Sequence, residues 1–194
     1  MTMLIAMLAN LPVLYPLQIL WINLITDGLP ALALGVDPAE PDLMSRPPRK
    51  QKEGILNGRN LLLVFVQGLV LTLGAISTLL IAHFVFKANE AQSRTIVFAT
   101  LVLLQLFHSF NFRVGRNFFF SKSLLANKYL IGAFLLSLIL QIGVIFFKPL
   151  NSIFKTVVLD FRLIDEMLVC VVITILITNT IHRLFNKPVN PNKS

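Results

Sequence analysis

Long apolar runs, broken by short stretches that are basic, polar or rich in proline, set the pattern of this chain. Five runs approach the roughly 20 residues that a helix rising about 1.5 Å per residue needs to cross a bilayer: 17–36, 61–86, 95–112, 129–147 and 163–184. Residues 1–9 make a sixth apolar run, about half a span long, before Asn10-Leu11-Pro12 and Tyr15-Pro16 turn the chain. The pattern predicts an all-α fold, a polytopic transmembrane helix bundle of five spans plus an N-terminal half span. Between 37 and 59, Pro38, Pro41, Pro47 and Pro48 stand among charges of both signs, too polar for lipid and too proline-rich for a long helix. The chain divides into a helix end and turn (1–16), a first full span (17–36), a polar connector (37–59), four further spans (60–184) and a polar tail (185–194). It shows no internal repeat.

Composition agrees: 56% of the 194 residues are hydrophobic and only 13% are charged, which excludes an ordinary soluble domain. The net charge of +8 changes the picture only through its placement. The basic residues lie in the gaps between apolar runs rather than on an aromatic-interleaved surface, so they mark membrane topology and no nucleic-acid partner is expected. With the spans above, twelve of the 17 fall on one side, in the 37–59 connector, the 113–128 gap and the C-terminal end from Arg183 on, against five on the other. The positive-inside rule makes the richer side, and the C-terminus, cytoplasmic in a multi-pass cell-membrane protein. Residues 1–9 then rise from the cytoplasm, turn at the outer surface and lead into 17–36, as the end of a helix whose start is missing. A signal peptide fits less well, since no basic residue precedes the run and no small-residue cleavage site follows. The single cysteine, Cys170, offers neither a disulfide nor a thiolate metal site and reads as a buried thiol.

Candidate chemistry concentrates in Trp21-Ile22-Asn23-Leu24-Ile25-Thr26-Asp27-Gly28-Leu29-Pro30. A carboxylate within a span costs about 2.5–3.5 kcal/mol on insertion scales and needs a partner or a water-filled cavity. At about 100° per residue, Asn23, Thr26 and Asp27 share a flank of the helix, so their oxygens can converge. Gly28 weakens the helix, and Pro30 has no N–H for the carbonyl of Thr26, which predicts a span interrupted at an ion site. The plainer alternative is a proline kink with polar residues as interhelical glue. Oxygen ligands without His or Cys suit calcium, magnesium or alkali cations. Gln105, central in its span, could add one oxygen, whereas His108, Asn111, Gln67 and Gln141 read as helix-packing contacts. Asp165 and Glu166 read as interfacial partners of Arg162. Asn23, Thr26, Asp27 and Gln105 supply fewer oxygens than the six to eight that calcium takes, and only one carboxylate, so a second acidic group is expected from outside these residues.

The run Pro16-Leu17-Gln18-Ile19-Leu20-Trp21-Ile22-Asn23-Leu24-Ile25-Thr26-Asp27-Gly28-Leu29-Pro30-Ala31-Leu32-Ala33-Leu34-Gly35, with Pro41-Asp42-Leu43-Met44 and Arg46-Pro47-Pro48-Arg49, closely resembles calcium-type P-type ATPases. It is similar to the sixth membrane helix and following loop of sarco/endoplasmic reticulum calcium pumps and their bacterial relatives. Asn127-Lys128, Pro149-Leu150 and Phe154-Lys155-Thr156 extend the likeness over essentially the whole chain, as the C-terminal membrane domain of such a pump. The resemblance implies that Asn23, Thr26 and Asp27 are metal ligands on the broken helix. It also implies that Gln105 stands where the sarcoplasmic pump has Glu, a change that removes a charge and fits one ion per cycle. Calcium is implied as the transported ion, with manganese or another divalent cation as the alternative.

The Asp-Lys-Thr-Gly-Thr phosphorylation motif and the actuator Thr-Gly-Glu-Ser do not occur in these residues, so ATP and magnesium would act only in the missing parts of the parent enzyme. The implied partners are the lipid bilayer and the rest of the pump: phosphorylation, nucleotide-binding and actuator domains and the earlier membrane helices. This chain alone is not expected to hydrolyse ATP. Its expected function is the ion-pathway portion of a cation pump; the alternatives are a non-catalytic assembly partner, a truncated remnant or an independent passive carrier.

Overall fold

A computed structural model describes residues 2–36, 58–113 and 127–185, and every regular element among them is helical. Helix α1 (Thr2–Leu8) ends in a turn where Asn10 takes a left-handed φ of 52°. Helix α2 (Pro16–Ile22) begins with proline, whose fixed φ suits a first helical position and whose missing N–H would have had no partner there. The Tyr15 N–H before it donates to Gln18 Oε1 at 3.0 Å. A π-helical turn (Asn23–Gly28) then leads without a break into α3 (Leu29–Gly35). Helix α4 (Gly58–Leu80) also ends in a π-helical turn (Ile81–Val85). The remaining helices are α5 (Glu90–Arg113), α6 (Lys128–Phe146), α7 (Lys148–Phe154) and α8 (Phe161–Phe185).

Local chemistry explains where these helices start and stop. Asn89 and Gln92 form a reciprocal cap at the head of α5, N–H to Oε1 at 3.1 Å and N–H to Oδ1 at 2.9 Å, so α5 begins five residues before the apolar run at 95. Asn127 caps α6 by accepting from the Leu130 N–H at 3.0 Å. At the other end of α6, Asn151 Nδ2 donates to the Ile145 carbonyl and Thr156 Oγ1 to the Val144 carbonyl, both at 2.6 Å, which satisfies groups a helix end leaves open. Helix α7 occupies the gap between the apolar runs 129–147 and 163–184; Pro149 lies in its first turn and Lys155 closes it at φ 52°.

Helix α5 is the axis of the bundle. Of its apolar stretch 72% is buried, against 33% for α6, and Ile96, Phe98, Val102, Leu104 and Leu106 are fully enclosed. Helices α4 and α8 pack on α5 and on each other along one side; the π turn, α3 and α6 close the other. The outward faces are apolar instead: Leu135, Leu136, Ile139 and Ile142 on α6, and Val169, Val172, Ile173 and Leu176 on α8, are exposed. That distribution suits a hydrocarbon solvent, in which apolar side chains are stable outside and polar ones are held within.

Among the described residues four helical stretches are long and apolar enough to cross a membrane: Pro16–Gly35, Asn60–Val85, Glu90–Asn111 and Lys128–Phe146. Helix α8 covers the fifth expected span and has 25 residues, with Arg162, Asp165 and Glu166 in its first turns and His182 and Arg183 in its last, but it is not among these four. The connector expected at 37–59, but for its last two residues, and the tail 185–194, but for Phe185, lie outside the described residues.

Candidate cation site

The turn that leads into α2 is gripped from α5. Arg94 Nε donates to the Val13 carbonyl at 2.8 Å and Nη1 to the Tyr15 hydroxyl at 3.0 Å, while its guanidinium lies 4.3 Å from the Tyr15 ring centre. Gln18, fully buried, donates from Nε2 to the Phe154 carbonyl at 3.1 Å, so the start of α2 is tied to the end of α7.

From this anchored start the helix reaches its π turn, which contains all three ligand candidates of the motif. In a π turn each carbonyl pairs with the N–H five residues on, not four. The proline's missing donor therefore falls on Ile25 rather than on Thr26, as an α-helical register would have it. The Ile25 carbonyl is met by Ser137 Oγ of α6, which donates to it at 3.2 Å.

Two of the four candidates come together. Thr26 is buried; its hydroxyl donates to the Ile22 carbonyl at 2.7 Å and lies 2.6 Å from Oε1 of Gln105 on α5. The Thr26 hydroxyl and the Gln105 side-chain amide thus bring two neutral polar groups together inside the bundle, each with an oxygen of the kind a hard cation takes. Gln105 also borders a partly open cavity of about 280 Å³ between α1, α4 and α5, lined with it by Thr2, Leu71, Thr72 and Leu104. Asn23 does not join this pair and is exposed. The backbone of Asp27 lies in the π turn, but its side chain is outside what the structure describes.

The other polar residues have local partners. Gln67 Nε2 lies 3.3 Å from His182 Nδ1, and Asn111 Nδ2 lies 3.1 Å from His108 Nδ1. Gln141 Oε1 accepts from Trp21 Nε1 at 2.9 Å. Ser137 was not visible as a functional residue from its type, yet its spacing from Gln141 and Asn127 puts all three on the face of α6 that meets the helix carrying the π turn. Among the described residues no group of three or more His, Cys, Asp or Glu side chains could hold a metal.

An all-helical bundle with apolar outward faces, interrupted by a π turn at an Asn-x-x-Thr-Asp-Gly sequence, is the architecture of a membrane domain. The family model for the C-terminus of cation-transporting ATPases matches residues 11–185, and the chain belongs to that family. It is therefore part of a multi-pass membrane protein. The calcium-transporting ATPase of Bacillus subtilis (strain 168) is 46% identical over 158 residues, 81% of this chain and 18% of that protein. Calcium-transporting ATPase 1 of Bacillus cereus is 38% identical over 163 residues, 77% of this chain and 18% of that one. The human calcium-transporting ATPase type 2C member 1 is 34% identical over 155 residues, covering 78% and 16%. The chain thus spans less than a fifth of the length of the curated relatives it matches.

Proposed function

We propose that this chain is the membrane ion-pathway portion of an ATP-driven cation pump, that calcium is the transported ion, and that Asn23, Thr26, Asp27 and Gln105 contribute part of the ion-binding site. The observation that carries this reading is the meeting of Thr26 and Gln105, 79 positions apart in sequence, at the π turn. Relatives named as calcium-transporting support the choice of ion.

An exposed Asn23 in the middle of an apolar helix supports the expectation that further ligands come from elsewhere. So does the ligand count, since calcium takes six to eight oxygens and one carboxylate leaves a divalent ion half neutralised. The rest of the pump would supply the other ligands and the domains that use ATP and magnesium. In this reading the chain crosses the cell membrane five times, with 17–36 as the ion-site span, 37–59 as a cytoplasmic loop and the C-terminus cytoplasmic.

The test is a chimaera in which this chain replaces the matching segment of the Bacillus subtilis relative, assayed for ATP-driven calcium uptake into membrane vesicles. Uptake is expected, with loss in Asp27→Asn and a lower half-saturating calcium concentration in Gln105→Glu, which adds a carboxylate beside Thr26. An inserted chimaera without uptake would overturn the proposal, as would full uptake in Asp27→Asn.

A further inference from the structure

The ion-site helix has two registers open to it, and they differ in which carbonyl Pro30 leaves without a donor. In an α-helical register that carbonyl belongs to Thr26, four residues back; in the π register it belongs to Ile25, five back. The structure holds the π register across Asn23–Gly28, and Ser137 Oγ supplies the Ile25 carbonyl with the hydrogen bond that proline cannot. Ser137 is fully buried, so no solvent competes for this bond.

Two further bonds fix α6 so that the hydroxyl faces this carbonyl. Asn127 Nδ2 donates to the Ala33 carbonyl at 3.0 Å below the turn, and Trp21 Nε1 donates to Gln141 Oε1 at 2.9 Å above it. Residues 127, 137 and 141 thus pair with 33, 25 and 21, an antiparallel register in which the π turn is bracketed on both sides.

We propose that Ser137 is a positioning residue that selects the π register of the ion-site helix and so presents Thr26 to Gln105. The inference rests on the reading of this turn as the cation site, and it adds a residue that touches no ion. Loss of the hydroxyl removes the advantage of the π register and lets the turn exchange with an α-helical one, in which Thr26 and Asp27 are turned relative to α5.

The test has two readouts. In the full chain in lipid nanodiscs, amide hydrogen exchange over residues 22–30 should rise about fivefold in Ser137→Ala, the equivalent of one buried hydrogen bond. Ser137→Cys keeps the volume but donates weakly and should move the same way, whereas Ser137→Thr should match the parent. In the chimaera, half-saturating calcium should rise about threefold to tenfold in Ser137→Ala and recover in Ser137→Thr. Unchanged exchange over 22–30 in both Ser137→Ala and Ser137→Cys overturns the assignment, and so does a rise spread equally over α4 and α8. Local loosening in Ser137→Ala together with uptake that survives Asp27→Asn would retain the register selector and discard the cation site.

Discussion

Two helix seams in this bundle solve the same problem in opposite ways. Through the middle of α4 and α8 the threonines turn back on their own helices, with Thr78 Oγ1 donating to the Gly74 carbonyl, Thr174 to Cys170 and Thr178 to Thr174, at 3.1, 2.7 and 2.8 Å, while Gln67 and His182 meet across the seam. The helices approach closely because Gly74 has no Cβ; one added there would lie 2.7 Å from Thr174 Cγ2. Along α6 and the helix that carries the π turn the polar groups reach across, from Asn127 to Ala33, Ser137 to Ile25 and Trp21 to Gln141. Regular helices satisfy their own backbones, so what holds them is shape. A helix that carries a proline and a π turn has a carbonyl to spare, and a neighbour can use that carbonyl to hold it.

The contrast predicts a graded set of effects. The largest belongs to Gly74→Ala, which forces α4 from α8 at the tightest point and should cost toward the upper end of about 1–3 kcal/mol. Unfolding by SDS in mixed micelles measures it, and Thr174→Ala in the same chain should return part of the loss as a coupling in a double-mutant cycle. Additive effects of the two changes would show that shape does not hold this seam.

Asn127→Ala comes next, at about 1–2 kcal/mol, because one side chain both caps α6 and bonds the Ala33 carbonyl. Its signature is faster amide exchange at the head of α6 and the end of α3 together; a change at α6 alone would mean that the cross-helix bond carries nothing. Trp21→Phe keeps an aromatic edge against Phe154, whose ring centre is 4.9 Å away, but loses the bond to Gln141. About 0.6 kcal/mol is the usual worth of such a bond within a membrane protein, read in the same SDS titration. Thr178→Val should be the mildest, within about 0.5 kcal/mol, since its hydroxyl serves only its own helix. A loss near that of Asn127→Ala would erase the distinction between the seams.

Much of this architecture is legible in the chain. The apolar runs place the long helices because burial in lipid demands whole turns of apolar residues, and Asn23, Thr26 and Asp27 stand out because polar atoms in such a run need a reason. Helix α7 and the early start of α5 were also within reach, through Pro149 in a first turn and the Asn89-x-x-Gln92 cap. The π register was not, because it differs from the α-helical one by a single residue per turn, and which one wins depends on a hydroxyl more than a hundred positions away. Asn23 illustrates the same limit: helical spacing allows it to join Thr26, yet the structure leaves it exposed while Thr26 turns to Gln105.

Two side chains of α5 hydrogen-bond to the segment that leads into and carries the π turn, Arg94 at the turn before α2 and Gln105 at Thr26. Eleven residues of unbroken helix separate the two contacts, a rigid length of about 16 Å. That is close to half of a hydrocarbon core about 30 Å thick. The guanidinium is a group that belongs at the edge of such a core, so α5 acts as a ruler. With its charged end at the interface of a bilayer, it would set the Thr26–Gln105 pair near the midplane, where the proposed ion is equally far from both waters.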